Sequence, residues 1–111
     1  MTVTIKALAE TQAIPAAATS LYAAPANTKA IIDKMTVANT TGGAINLTAY
    51  VVPSGGSVGT STKLITARPL AAGASDLCPE IVGHILQPGD AIYVEPSATG
   101  TTGRISGREV V

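Results

Sequence analysis

Apolar and polar residues alternate along most of this chain, and clusters of Gly and Pro interrupt the alternation at short intervals. A period of two places alternate side chains on opposite faces of a strand, so the pattern predicts an all-β chain. Val3, Ile5 and Ala7 alternate with Thr2, Thr4 and Lys6, predicting a strand over residues 2–8. Further strands are predicted over 19–23, 28–39, 44–52, 63–67, 91–95 and 104–110. Within 28–39 the alternation slips: Ile31 and Ile32 are adjacent, while Asp33 shares a face with Met35 and Val37. A β-bulge near Asp33 that swaps faces reconciles the two halves.

The connections carry their own signals. Thr40-Thr41-Gly42-Gly43 reads as a tight turn joining 28–39 and 44–52 in a hairpin. Residues 53–61 form a neutral, flexible loop, and 97–103 a turn. Residues 79–86 read as one helical turn, with Pro79 at its first position and Ile81, Val82 and Ile85 on one face. Residues 9–18 are Ala-rich and are predicted to be an extended arm. The expected architecture is a single β-sandwich over 19–111, jelly-roll or immunoglobulin-like, preceded by an N-terminal strand and arm over 1–18. That arm either adds its strand to a neighbouring copy or forms an edge strand of its own domain.

Composition changes the picture in one respect. Only 14 of 111 residues are charged, against about 25 % in an ordinary domain, and the formal net charge is zero. Charged side chains keep sheet edges apart in water, so their scarcity points to a chain packed against other protein, as a dimer or trimer or on a lattice. A balanced charge argues against nucleic acid, which requires a basic face. No apolar run is long enough to span a bilayer, and the first six residues lack the basic, apolar pattern of a secretory signal. Cys78 is the single cysteine, so no internal disulfide forms and a reducing site of synthesis is expected. With no Trp or Phe and three Tyr, the core must be built from Ala, Val, Ile and Leu. Two glycosylation-type triplets, at Asn39 and Asn46, read as chance matches in a Thr-rich chain.

Candidate chemistry is sparse. Gly55-Gly56-Ser57-Val58-Gly59 fits the G-x-S-x-G pattern of a hydrolase nucleophile elbow, and Asp76 and His84 follow in the required order. The elbow needs a helix after the serine, whereas Thr60-Ser61-Thr62 and a strand follow here. Lys63 is also misplaced for a phosphate-binding loop. His84 is the only histidine, too few for a zinc or iron site of the jelly-roll type, and is expected at an interface. The carboxylates Asp33, Asp76, Glu80, Asp90, Glu95 and Glu109 are scattered, and Asp90 reads as a turn residue bonding its own backbone. Arg104 and Arg108 lie four apart on one strand face, near Glu109, which suggests salt bridges between subunits. Val3 and Ile5 join them as candidate interface residues. No catalytic residue, metal or cofactor is expected.

Two stretches carry a resemblance. One runs from Leu21-Tyr22-Ala23-Ala24-Pro25 through Asn39-Thr40 to Val51-Val52-Pro53-Ser54-Gly55-Gly56, and the other from Pro79-Glu80-Ile81-Val82-Gly83-His84 to Pro88-Gly89-Asp90, closing with Ser106-Gly107-Arg108-Glu109. Over residues 20–110 the chain resembles small β-sandwich virion structural proteins of tailed bacteriophages, many of which decorate or cement capsids. The resemblance implies a non-enzymatic virion component made in the host bacterial cytoplasm, whose partners are itself, the major capsid protein or other virion proteins. The alternative is a tail-associated structural, receptor-binding or carbohydrate-recognition module. Loops 53–62 and 97–103 hold no aromatic or charged residue, which favours the structural role.

Overall fold

Nine strands in two packed antiparallel sheets make up the computed structural model, which describes residues 1–111. They are β1 (Val3–Ile14), β2 (Thr19–Ala23), β3 (Lys29–Asn39), β4 (Ile45–Val52), β5 (Lys63–Leu70), β6 (Ser75–Asp76), β7 (Ile85–Leu86), β8 (Ala91–Pro96) and β9 (Thr101–Val110). The first sheet has the order β1-β9-β3-β6, with β7 also paired to β3, and the second has the order β2-β8-β4-β5. Six of the eight connections pass from one sheet to the other, and the later strands β8 and β9 return to lie beside β4 and β3. That double Greek key is a jelly roll, which decides between the two sandwich topologies the sequence allowed.

The two sheets meet over a core of small and medium side chains, among them Ile32, Met35, Leu47, Ile65, Leu86, Ile92, Val94 and Ile105. No buried side-chain polar atom lacks a partner. The bulge predicted at Asp33 is present: the register of β3 on β9 shifts between Ile32 and Lys34. It turns Ile32 and Met35 inward together and leaves Asp33 exposed.

Four sequence expectations are corrected. Residues 40–43 do not close a hairpin, because β3 and β4 lie in different sheets. Asn39 makes this corner: almost fully buried, its amide donates to the carbonyls of Gly43 (2.8 Å), Leu70 (3.1 Å) and Ala71 (3.2 Å). Its side-chain oxygen accepts from the backbone N–H of Thr41 at 3.0 Å and from the Thr41 hydroxyl. Alternation and a Gly turn look the same whether the next strand pairs or crosses, and this buried amide makes the difference. Such burial also closes the Asn39 triplet to glycosylation.

Second, the Ala-rich stretch does not form an extended arm: residues 9–14 are strand, and the segment is an edge strand of the chain's own sheet. β1 continues to Ile14, pairs with β9 throughout, and contributes Leu8, Ala9 and Ile14 to the core. Two register shifts let this Ala-rich stretch stay in the sheet. Third, residues 79–86 form an irregular turn, closed by bonds from Ile81 and Val82 to the Cys78 carbonyl, and Ile85 departs into β7. Pairing of Ile85 with Ile31 outcompetes one more helical bond. The short 3-10 turn lies instead at Thr60–Thr62, within the supposed loop. Fourth, the strand predicted over 63–67 continues through Pro69 to Leu70, and the proline is tolerable because β5 is an edge strand whose outer N–H positions need no partner.

One ion cluster holds the edges of the two sheets together. Arg68 on β5 donates Nε to Asp76 Oδ2 at 2.8 Å and Nη2 to Oδ1 at 2.7 Å, and also reaches Glu80. Burial alone would raise the Asp76 carboxyl, but the bonds from Arg68 and from the Cys78 N–H outweigh it and hold it below its ordinary value. Cys78 is buried beside it, and desolvation, with the nearby Asp76 charge, pushes its thiol up to about 12. Arg68→Met should cost about 2 kcal/mol at pH 7, because a buried carboxylate loses its bidentate partner while Arg68 itself is one-third exposed. The native pair contributes fully above the unfolded carboxylate pKa, about 4, and its contribution is lost as pH falls through the lowered native value. In the variant burial acts unopposed. The stability gap between the two proteins, read from urea unfolding, should therefore shrink as pH falls from 7 to 3.

Candidate interface site

The outer face of the first sheet brings together three of the exposed apolar side chains, Val3, Ile5 and Ile85. Register places Ile5 opposite Arg108, Arg108 opposite Ile31, and Ile31 opposite Ile85. Directly opposed residues on antiparallel strands point to the same face, so these four form one row across β1, β9, β3 and β7. The next row holds Val3, Val110 and Lys29. Ile5 is 82 % exposed, Ile85 57 % and Val3 50 %, so the patch opens to solvent along both of its margins.

Arg108 lies in the middle of the patch and is held down. It donates Nε to Asp33 Oδ2 at 3.0 Å and Nη2 to Oδ1 at 2.9 Å, a fork that the outward Asp33 of the bulge makes available. The bonds it donates to Asp33 raise the Arg108 pKa above its ordinary value. Arg104, on the same face, donates to Glu10 at 3.1 Å and weakly to Thr11. Both guanidinium groups thus have partners within the chain, and a contact between copies would have to share or displace them. Glu109 belongs to neither pair. The period of two turns it to the opposite face, where it takes bonds from Tyr22 and, at 3.3 Å, from Lys6. Burial, then the bond to Glu109, raises the Tyr22 hydroxyl pKa.

Next to the apolar rows the same face sinks into a shallow hollow of about 410 Å³, lined by Thr11, Lys34, Thr36, Thr102, Arg104 and Ser106. A second hollow of about 390 Å³ lies on the outside of the other sheet and includes Thr48, Glu95 and Ser97. There Tyr50 donates to Glu95, and that bond, with burial, raises the Tyr50 pKa. His84 is exposed in the turn just before β7, next in sequence to Ile85.

The structure does not assemble the hydrolase-like set. Ser57 lies in irregular chain ahead of the Thr60–Thr62 turn, Asp76 is committed to Arg68 and Cys78, and His84 makes only backbone bonds, with Ile32 and Ile81. No cluster of three or more His, Cys, Asp or Glu side chains has the spacing to hold a metal ion. Asp90 does bond its own turn, at Gln87 N–H (2.9 Å), and also fastens the 53–56 loop through Ser54 N–H (3.0 Å).

Of the interface candidates named from the sequence, Val3, Ile5, Arg104 and Arg108 lie on this outer face and His84 lies in the turn beside it; Ile31, Ile85 and Asp33 share the face and were not among those candidates. The bulge signal at Asp33 was the clue to Ile31: once Ile32 turns inward, Ile31 must face out. For Ile85 no such clue existed, since its strand is only two residues long.

No family profile matches this chain, and no curated protein matches it. Among solved structures, one described as "Structure of infectious bursal disease virus Gx strain" is similar over 97 % of this chain, at 15 % identity and a TM-score of 0.41. The chain spans 30 % of that structure's length.

Proposed function

We propose that this protein is a non-enzymatic structural component of a virion, and specifically a decoration or cement protein on the head of a tailed phage. The observation that carries the reading is the apolar outer face of Val3, Ile5, Ile31, Ile85 and Val110 on a chain with zero net charge. Such a surface is suited to lying against other protein, and isolated domains rarely leave one uncovered. Two further features support it. Residues 20–110 resemble small phage virion proteins, and the jelly roll is an architecture used in viral capsids and lectins alike. On this face Arg104 and Arg108 are paired within the chain, so adhesion would rest largely on burial and backbone contact.

Purified protein should bind expanded heads that lack it and raise the temperature at which they release DNA. Ile31→Asp with Ile85→Asp should weaken binding at least tenfold without lowering the protein's own melting temperature, since both changes are on the outside. Binding only to tails, or to a bacterial surface or glycan, would support the tail or recognition role instead. Hydrolysis of an ester or glycoside by the native protein that Ser57→Ala abolishes would overturn the non-enzymatic reading.

A further inference from the structure

We infer that two copies of this chain join edge to edge through β1, antiparallel about a two-fold axis at Thr4, making one continuous sheet from the two β1-containing sheets. The inference concerns self-association and stands whether or not the virion reading holds.

The backbone pattern comes first. Thr2 and Val111 exchange both hydrogen bonds, at 3.0 and 2.9 Å. In an antiparallel ladder, bonded and non-bonded pairs alternate, so the next bonded pairs are Thr4 with Glu109 and Lys6 with Gly107. Val3, Ile5 and Ala7 then point their N–H and C=O groups away from β9, to the open edge. Their register on β9 is unbroken until after Ala7, so this part of the edge is straight.

The other edges are blocked, each in a recognisable way. β2 is five residues long with a register shift inside it. β5 carries Pro69, and Ala67 at a φ of 43° breaks its regularity. β6 and β7 have two residues each. Only β1 offers a long strand free of proline, with Ile5 exposed beside its unpaired groups.

The occupant follows from self-complementarity and charge. An antiparallel two-fold contact presents the same strand to itself, so each copy supplies what the other lacks. With the axis at Thr4, Val3 of one copy faces Ile5 of the other twice over, on the apolar face, and Thr4 faces Thr4. The one charge in residues 2–7 is Lys6, which is paired with its own Glu109 and would face the neutral Thr2 of the partner. No like charges meet, and zero net charge leaves no long-range repulsion. Joined this way, the apolar rows of the two copies run into one strip.

Sedimentation of the full chain across a concentration series should show a monomer–dimer equilibrium. Ile5→Lys should weaken it at least tenfold. Val3→Pro, which removes an outward N–H and no bond to β9, should weaken it likewise, and both variants should keep the native melting temperature. In the proposed register Thr4 and Thr4 form a non-bonded pair about 4.5 Å apart at Cα, close enough for a disulfide. Thr4→Cys should therefore give a covalent dimer on mild oxidation, while Thr36→Cys, three strands from the edge contact, should not. A protein that stays monomeric at all concentrations would overturn the inference. So would a dimer that Ile5→Lys and Val3→Pro leave intact, or one that Thr4→Cys fails to cross-link.

Discussion

Asn39→Ala should lower the unfolding free energy by about 2–3 kcal/mol, one of the two largest losses expected from a single substitution. The amide is 1 % exposed and serves three carbonyls, two of them on the segment leaving β5. Truncation removes the buried bond to the Leu70 carbonyl, at about 1–3 kcal/mol for a buried group left unpaired, whereas the Ala71 carbonyl keeps its bond from the Ala74 N–H at 3.0 Å. The Gly43 and Thr41 groups lie nearer solvent and recover part of their bonding from water. Asn39→Asp should be no rescue, because a carboxylate presents an acceptor to three carbonyl acceptors. Asn46→Ala is the control: Asn46 is exposed and its side chain makes no bond within the chain, so its loss should stay within about 0.5 kcal/mol. Urea unfolding followed by circular dichroism measures all three, and an unchanged slope for Asn39→Ala would confirm that the native fold, and not its compactness, has lost stability.

Gly107→Ala should cost about 3 kcal/mol, near the upper end for overpacking. A Cβ on Gly107 would lie 2.1 Å from the Ile31 carbonyl oxygen and 2.9 Å from Leu8 Cδ1. The leucine tip can rotate away, but the carbonyl is backbone in the centre of a sheet and cannot. The closeness has a cause. Gly107 is opposite Ile32, at the last regular pair before the bulge at Asp33, where β3 bends towards β9. Glycine there is a condition of the bulge, and the bulge in turn exposes Ile31 and supplies Asp33 to Arg108. A melting curve for Gly107→Ala that overlays the native one would show that β3 can shift to make room, and that the bulge is softer than the register implies. The contrast with Gly43 is useful: a Cβ there meets nothing within 4 Å, so Gly43→Ala should change stability little.

How much of this was legible in the chain can be judged from particular elements. Alternation located β2, β3, β4, β8 and β9 to within a few residues, since each has one face on the core and one outside. It also gave the bulge at Asp33, because adjacent Ile31 and Ile32 cannot both be buried on a regular strand. The same rule put Val3 with Ile5 on one face of their strand and Arg104 with Arg108 on one face of theirs, while the pairing of β1 with β9 is what makes it a single face. It could not reveal β6 and β7, two residues each being too short for any period to register. The tail of β1 was missed because Ala is small enough to suit an arm or a core, and only the neighbours Leu21 and Gly103 around Ile14 show which it is.

Fold class, face assignment and the scarcity of charge were determined by local sequence, since periodicity and composition are properties of each segment alone. Pairing was decided by tertiary structure. Whether β4 folds back on β3 or crosses to the other sheet depends on where Asn39 finds carbonyls thirty residues away, and whether Arg108 is free depends on Asp33 across the sheet. Likewise the solvent-facing edge at β1 exists only because β9 takes one side of that strand and nothing in the chain takes the other. Contacts between distant residues have no local signature, and in a jelly roll, where sequence neighbours mostly lie in opposite sheets, such contacts set both the topology and the surface.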